Sequence, residues 1–530
     1  MNKRSLLILF FSFFFFRISY AQQPKIQGDV KELFAGPSSP ADHDKWLAVM
    51  KNWRVNEWKK QSYHDSEYLL PKLGWLKKTF IYTQMMAHDR YFYDPVLGKY
   101  TVNKYLTDLK KRYGGIDAVL IWPTYPNMGI DNRNQYDLVH DMPGGIKAIR
   151  QMIIDFKKQG VRVFFPIMIW DHGTRKIALD MPVALVKEMK ETGADGMNGD
   201  TMNGVTVDFK NASDSLDYPL VFQPEIAIED LKMVEWNTSS WGYFFNYEFA
   251  PGVSIYKWME PRHQVFVTNR WVTDRTDDLQ YAFFNGVGYN AWENIWGIWN
   301  QVSDRDAKAI QRIAKIYREF PGMWNSSEWE PFITTIQKGV FASKFPGLDK
   351  TIYTLVNRDS TVHTGRQLRL PFKENMQYYD IWNGTVLQPV KEKDSICLSF
   401  PIEGRGFSAV LAIKSYMLNS TLNSFLNGMH NLAKKPLDSF STKWISLTQQ
   451  IVPIKKTKPA AKVPGGMIFI PAIKEYVFES KGVFIEGDLL PNGEGIQYPW
   501  ESHPARATKH VLDIPAFYID KYPVTNKQFK

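Results

Sequence analysis

The chain has 530 residues, which is too long for a single hydrophobic core and favours two to four domains. Its net charge of +10 is spread along the sequence instead of being concentrated on one helix or groove, which argues against a nucleic-acid-binding protein. Because the chain contains only one cysteine, Cys397, the sequence excludes both a disulfide framework and a cysteine metal cluster.

The N-terminus has the layout of a secretory signal. A basic pair at residues 3–4 precedes an apolar run over residues 6–16, and residues 19–21 offer a small-residue cleavage site. The run is shorter than the roughly 20 apolar residues that a membrane span requires. We therefore predict that residues 1–21 are a cleaved signal peptide, and that the mature chain is secreted or periplasmic and has no transmembrane segment.

From about residue 75 to residue 320, short apolar runs alternate with amphipathic stretches. The runs at 118–122 and 161–168 and the helical stretches at 145–158 and 304–319 show this rhythm, which is typical of βαβ units with a parallel sheet. Its length of about 250 residues, and the acidic and Trp-rich segments after the strands, favour a closed barrel. No Gly-x-Gly-x-x-Gly motif follows a strand, so nothing supports a dinucleotide cofactor. We predict an α/β fold with a (β/α)8 TIM-like barrel over residues 22–325.

Beyond the barrel, the apolar period changes to two. Residues 351–357 and 407–413 alternate as strands do, and Asn383-Gly384 is a hairpin signal. We predict a small β-sandwich over residues 330–414. A helical, Pro- and Lys-rich linker is predicted over residues 415–465.

Acidic residues that directly follow predicted strands are the candidates for catalysis, because function in barrels gathers at the C-terminal ends of the strands. Hydrolysis of a glycosidic bond requires two carboxyl groups, one to protonate the leaving oxygen and one to attack the anomeric carbon or activate water. Asp200 and Glu225 would stand at the tips of the adjacent fourth and fifth strands. Strands lie about 4.8 Å apart, which fits the roughly 5–5.5 Å carboxyl separation of a retaining mechanism. Glu293 is the reserve acid.

An Asp at the fourth strand followed by a Glu at the fifth resembles the order found in several barrel glycosidases that act on α-linked sugars. The resemblance covers about 150 residues and rests on order and spacing. It implies that Asp200 is the nucleophile and Glu225 the proton donor. For each acid taken alone, the alternative is a helix cap, a loop hydrogen bonder or a surface charge, and Asp200 before Thr201 could be an N-cap.

Aromatic and polar residues near these acids are candidates for holding a sugar. Phe, Trp and Tyr make up 15% of the chain, and flat aromatic faces offer apolar contact area to the C–H faces of sugars. The histidines lack the spacing of zinc ligands, so we predict neither a metal nor another cofactor. The predicted substrate-binding residues are Trp122, Tyr125, Trp170, Asp171, His172, Trp236, Arg262, His263, Arg270 and Trp292.

Three ordered motifs lie near the C-terminus. They are an apolar strand ending in Ile-Pro-Ala at 470–472, a Glu-x-x-Pro element at 501–504, and a strand leading into Val-Thr-Asn at 524–526. Together they resemble the start of the formylglycine-generating enzyme family, also called sulfatase-modifying factors. The resemblance implies that residues 466–530 are an incomplete α+β module, which lacks the copper-binding cysteines that the family uses to oxidise a substrate cysteine.

Three functions therefore remain open from the sequence. The first is an exported glycoside hydrolase with a carbohydrate substrate. The others are a noncatalytic carbohydrate-binding barrel and a platform that delivers a substrate to a C-terminal modifying enzyme. Placement of Asp200 and Glu225 on one pocket floor, with their carboxyl groups near the retaining distance, would favour the hydrolase. Acids that point apart or are capped by salt bridges would favour the binder.

Overall fold

The structure is a computed structural model. In the part of the chain that it describes, no helix is both long enough and apolar enough to cross a membrane. The predicted signal peptide lies outside the described residues. These are 23–443 without 29, 124–131, 245–246, 270–273, 293, 296–297 and 300–301, together with 457–484 and 505–529.

Eight parallel strands form the wall of a nearly closed barrel. They are β1 (Ile81–Met86), β2 (Ala118–Trp122), β3 (Arg162–Ile167), β4 (Gly196–Gly199), β5 (Val221–Pro224), β6 (Ser239–Gly242), β7 (Gln264–Thr268) and β8 (Gly288–Ala291). Strands that follow one another in the chain pair in parallel, except β5 with β6, and β8 returns to pair with β1. The strand order leaves only β5 and β6 as edges. The predicted (β/α)8 architecture is confirmed.

Side chains close the seam between β5 and β6. The Nε2 atom of Gln223 on β5 donates to Oγ of Ser239 on β6 at 2.9 Å, and Oε1 of Gln223 accepts from Asn198 on β4 at 3.1 Å. The Ser239 hydroxyl in turn donates to the carbonyl oxygen of Gln264 on β7 at 2.9 Å. All these residues are buried. A hydrogen-bonded polar layer therefore crosses the barrel interior from β4 to β7.

Replacing Gln223 with leucine removes the centre of this polar layer. We expect the free energy of unfolding to fall by about 2–4 kcal/mol, because Asn198 and Ser239 would each lose a buried partner, and each loss costs roughly 1–3 kcal/mol. Urea denaturation measures the change, with Gln151→Leu on the exposed face of a barrel helix as the matched control. Equal unfolding midpoints for the two variants would contradict a structural role for the layer.

Helices cover the outside of the barrel and precede it. The helix over 145–158 has the predicted bounds, and its buried residues Ile149, Met152, Ile153 and Phe156 recur at helical spacing. The β5–β6 connection contains only a 3₁₀ helix, Leu231–Glu235. The longer α-helices of this part of the chain are α1 (His43–Gln61), α2 (Val102–Tyr113), α3 (Gly145–Lys158), α4 (Met181–Thr192), α5 (Val207–Ser215), α6 (Ile255–Met259), α7 (Thr276–Asn285) and α8 (Asp304–Glu319). Two short ones are Ser66–Leu69 and Gln135–Leu138.

Two antiparallel sheets follow the barrel and enclose a hydrophobic core between them. Their strands are β9 (Glu330–Ile333), β10 (Val340–Pro346), β11 (Lys350–Asn357), β12 (Arg366–Pro371), β13 (Met376–Asp380), β14 (Thr385–Leu387), β15 (Val390–Glu392), β16 (Ser395–Ser399) and β17 (Phe407–Lys414). The larger sheet has the strand order β9-β10-β11-β17-β13-β14, and the smaller sheet has the order β12-β16-β15. Asn383 and Gly384 lie in the turn between β13 and β14, where Gly384 has a φ of 65° that favours glycine. Helix α9 (Ser420–Ala433) comes next.

The C-terminal residues form two antiparallel strand pairs. Strand β18 (Met467–Ile470) pairs with β21 (Phe517–Asp520), and β19 (Ile473–Phe484) pairs with β20 (Ala505–Ile514). The predicted strand before Ile-Pro-Ala is β18, and a short helix begins at Asn526 as predicted. The Glu-x-x-Pro element at 501–504 lies outside the described residues.

Candidate active site

Asp200 and Glu225 lie side by side at the C-terminal end of the barrel. The last residues of β4 and β5 are register partners, and the backbone N–H of Glu225 donates to the carbonyl oxygen of Gly199 at 3.1 Å. One layer below, the register partners Asn198 and Gln223 are joined through their side chains. Side chains two residues apart point to the same face of a strand. Both carboxylates therefore project toward the barrel axis, above the polar layer.

The Glu225 carboxylate is buried and held at both oxygens. Its Oε2 atom accepts the backbone N–H of Thr201 at 2.8 Å, and Oε1 accepts the hydroxyl of Tyr243 at 3.0 Å. The residue is 4% exposed. One donor comes from the β4 end and the other from the β6 end, so the orientation of Glu225 is fixed by both neighbouring strands.

Thr201 connects the two acids through a strained backbone. Its φ is 60°, in the left-handed region that β-branched residues rarely adopt. Such a conformation costs on the order of 1–3 kcal/mol and is concentrated at functional sites. This conformation directs the N–H of Thr201, the residue that directly follows Asp200, toward the Glu225 carboxylate. Asp200 is not a helix cap, since α5 begins at Val207 with Thr206 at its N-cap.

Asp200 is half-buried and is held by an exposed tryptophan. The indole Nε1 of Trp170, which follows β3, donates to Oδ2 of Asp200 at 2.8 Å. Trp170 is 42% exposed, which makes its ring accessible to a ligand at this end of the barrel. Among the predicted aromatic residues, Trp170 thus has both solvent access and a direct contact with a candidate catalytic acid.

Other predicted or neighbouring aromatic residues pack in the barrel interior. The rings of Trp292 and Trp241 lie 5.3 Å apart, and those of Trp241 and Tyr243 lie 5.9 Å apart, both in edge-to-face arrangements. Trp122 and Trp292 are only 4% and 5% exposed and belong to the cluster that fills the barrel interior. These two predicted sugar-stacking residues are therefore largely buried in the barrel interior.

Asp171 and His172 follow Trp170 at the same end of the barrel. Burial raises the pKa of the Asp171 carboxyl above its ordinary value, and its Oδ2 has no hydrogen-bond partner among the described residues. His172 is exposed. Within the described ranges, no group of three or more His, Cys, Asp or Glu side chains is placed to hold a metal ion.

Arg262 and His263 are corrections to the predicted sugar-binding set. Both immediately precede β7, so they lie at the opposite, N-terminal end of the barrel. Arg262 forms an ion pair with Glu260 at 2.7 Å. The ring nitrogens of His263 lie 3.0 Å from the Tyr68 hydroxyl and 2.9 Å from the Ser240 hydroxyl, and burial lowers its pKa to about 3. These contacts give both residues a structural role.

Trp236 also lies away from the two acids. It precedes β6, and its Nε1 donates to the carbonyl oxygen of Val205 at 2.7 Å, so its polar atom is used by the backbone. The remaining predicted site residues, Tyr125, Arg270 and Glu293, lie outside the described residues.

Tyr243 and Glu32 belong to the surroundings of Glu225 and were not predicted. Tyr243 lies two residues after Trp241, and this spacing places both side chains on the same face of a strand. That spacing is the sequence feature from which Tyr243 could have been predicted. Glu32 lies behind it in the N-terminal strand Val30–Phe34 and accepts a hydrogen bond from the Tyr243 backbone. Glu32 is 4% exposed, and this burial raises its pKa to about 8.

The raised pKa of Glu32 predicts a pH-dependent stability. The folded chain binds this proton more tightly than the unfolded chain, so the stabilisation is complete below about pH 4.5 and is lost as the pH rises to about 8. In that window, the free energy of unfolding should fall by up to about 1.4 kcal/mol per pH unit. Glu32→Gln should flatten this dependence in urea denaturation, whereas Glu374→Gln on the surface should not. Parallel curves for wild type and Glu32→Gln would contradict the prediction.

Comparison with known proteins gives distant structural neighbours only. No protein-family model and no curated protein matches the chain. Similar solved structures include an alpha-amylase from Anoxybacillus (12% identity, TM-score 0.44, 64% of this chain and 98% of that chain). They also include the Geobacillus thermoleovorans alpha-amylase complexed with acarbose (12%, 0.45, 64% and 99%) and a maltogenic alpha-amylase from Thermotoga neapolitana (14%, 0.44, 64% and 99%). Because these TM-scores and identities are low, the assignment of a barrel rests on the strand order of this chain, and any assignment of a reaction rests on the geometry of its site.

Proposed function

We propose that the chain is a retaining glycoside hydrolase whose reaction takes place at the C-terminal end of the barrel. The observation that carries this proposal is the placement of Asp200 and Glu225 at adjacent strand ends, linked by the strained Thr201. Two carboxyl groups at neighbouring strand ends supply the pair that glycosidic cleavage requires.

The two acids are assigned different roles. Asp200 attacks the anomeric carbon and forms a covalent bond to the sugar, while Glu225 transfers a proton to the departing oxygen. In the second step Glu225 removes a proton from water, the water oxygen bonds to the anomeric carbon, and the Asp200 carboxylate is released. Tyr243 and the Thr201 N–H hold Glu225 in place. Trp170 holds Asp200 and offers its exposed face to the sugar ring.

A panel of aryl α- and β-glycosides tests the proposal on the purified full chain. We expect hydrolysis of at least one member, with the first-formed product in the same anomeric configuration as the substrate, as proton NMR would show. Product of inverted configuration would contradict the retaining mechanism. Absence of hydrolysis across neutral, acidic and sulfated sugars would favour the noncatalytic carbohydrate-binding barrel.

Two further proposals rest on sequence motifs. Residues 1–21 have a signal-peptide layout, so we propose export, and N-terminal sequencing of secreted material should then begin near Gln22. An uncleaved N-terminus on material inside the cell would contradict export. The ordered motifs around β18 and β21 support a formylglycine-generating-enzyme-like module over residues 466–530.

A further inference from the structure

A groove opens where the β-sandwich meets the start of α1. Its cavity volume is about 310 Å³, at the lower end of the roughly 300–1,000 Å³ of small-molecule sites. Tyr353 of β11 and Tyr378 of β13 line the floor, and Leu370 of β12 lines a wall. Helix α1 borders the groove through His43, whose Nε2 lies 3.1 Å from the carbonyl oxygen of Pro331. None of the lining residues belongs to the candidate active site.

The two tyrosines on the floor are largely buried, but their hydroxyls have no partner among the described residues. Tyr353 is 8% exposed and Tyr378 is 5% exposed. Neither hydroxyl is among the fully buried polar atoms that lack a hydrogen bond, so both hydroxyls are open to the groove. Burial and then the nearby phenol of Tyr378 raise the pKa of Tyr353 well above its ordinary value. Both groups are therefore neutral hydroxyls that can donate and accept hydrogen bonds toward a ligand in the groove.

The charges along the groove favour an anionic ligand. Three cationic side chains line it against two acidic ones, Asp44 and Glu330. Lys344 is paired with Glu330 at 2.7 Å, but Lys373 is exposed and forms no ion pair within the described ranges. Arg369 also lines the groove, but it is paired with Glu392 at 3.1 Å. A negative substituent placed beside Lys373 would therefore meet a cation that no carboxylate of the described residues neutralises.

We propose that this groove is a second saccharide-binding site that holds a sugar carrying a carboxylate or sulfate group. The two phenols bind sugar hydroxyls, Leu370 contacts the C–H face of the ring, and Lys373 faces the anionic substituent. The choice of a saccharide rests on the proposed function of the barrel, whereas the unpartnered hydroxyls and the unpaired Lys373 do not. Such a site would retain an acidic polysaccharide on the enzyme between cleavage events.

Equilibrium binding to the full chain tests the groove. The chain carries Asp200→Asn, so that hydrolysis cannot consume the ligand, and the probes are polygalacturonate, dextran sulfate and neutral dextran. Tyr353→Phe with Tyr378→Phe removes both hydroxyls and keeps the rings, and we expect Kd for at least one polyanion to rise at least about tenfold. Tyr416→Phe, an exposed tyrosine outside the groove, is the matched control and should change Kd less than about twofold.

The charged rim gives an independent readout. Lys373→Gln should weaken polyanion binding and lower its salt dependence, whereas Lys391→Gln, which does not line the groove, should leave both unchanged. Preference for polygalacturonate would identify a carboxylate ligand, and preference for dextran sulfate a sulfate ligand. Unchanged polyanion affinity in the double tyrosine variant, absence of polyanion binding, or equally tight binding of neutral dextran would overturn the proposal.

The outcomes for the two sites are separable. If the wild-type chain hydrolyses aryl glycosides but the tyrosine substitutions leave polyanion binding unchanged, the second site is wrong and the hydrolase stands. If no glycoside is hydrolysed but polyanions bind in a manner that depends on Tyr353 and Tyr378, the second site stands without the hydrolase.

Discussion

Replacing Asp200 with asparagine should lower kcat for aryl glycosides by roughly four orders of magnitude or more, because the amide cannot form the covalent bond to the sugar. The fold should be unaffected. The Oδ1 atom of asparagine can still accept the Trp170 N–H that Asp200 accepts at 2.8 Å, and the residue is only half-buried. Steady-state kinetics measure the loss, and the thermal unfolding midpoint verifies the fold.

Asp208→Asn is the matched control for this substitution. Asp208 is an exposed acid in the first turn of α5, a short distance along the chain from Asp200, and its replacement should leave kcat unchanged. If Asp200→Asn retained a tenth or more of the wild-type activity, Asp200 would not be the nucleophile.

Replacing Glu225 with glutamine should make the reaction depend on the leaving group. Without a proton donor, substrates with poorly acidic leaving groups should lose about 10²- to 10⁴-fold in kcat/KM. Substrates that release a dinitrophenolate should lose far less in the glycosylation step, because that oxygen departs without a proton. A plot of log kcat/KM against the pKa of the leaving group should therefore be much steeper for the variant than for wild type.

The control for Glu225→Gln is Glu229→Gln, an exposed acid in the same loop after β5, for which we expect the wild-type slope. An equal loss for good and poor leaving groups in Glu225→Gln would show that Glu225 acts only through structure. The substitution keeps one acceptor oxygen for the Thr201 N–H or the Tyr243 hydroxyl, so a gross rearrangement of the site is not expected.

The sequence shows the apolar strands of the barrel as distinct runs, but it does not mark the polar strands in this way. Strands β2, β3 and β7 carry apolar runs, whereas β4, β6 and β8 do not, because their inward positions hold polar residues such as Ser239 and Asn290 or glycine. The glycines have a packing cause. A Cβ on Gly196 would lie 2.4 Å from the ring of Phe164, and one on Gly288 would lie 2.6 Å from the ring of Phe266. Because such contacts join residues of different strands, they leave no local pattern in the sequence from which these strands could be predicted.

The residues of the candidate site were likewise predicted only in part. Asp200 and Glu225 could be predicted because each directly follows a strand. Arg262 and His263 were misplaced because they were chosen for their polar side chains, although both precede the apolar run at 265–267 that forms β7. Glu32 could not be predicted, since its contact with Tyr243 joins segments that are far apart in the chain.

Mass spectrometry of a trapped glycosyl-enzyme tests most directly whether the two acids act on one bond. A fluorinated aryl glycoside matched to the active sugar suits this purpose, because the ring fluorine slows breakdown of the covalent intermediate. We expect one glycosyl mass on the peptide that contains Asp200, and none in Asp200→Asn. An adduct on Glu225 or on another peptide, or hydrolysis with inversion and no adduct, would contradict the assignment of Asp200 and Glu225 as nucleophile and proton donor.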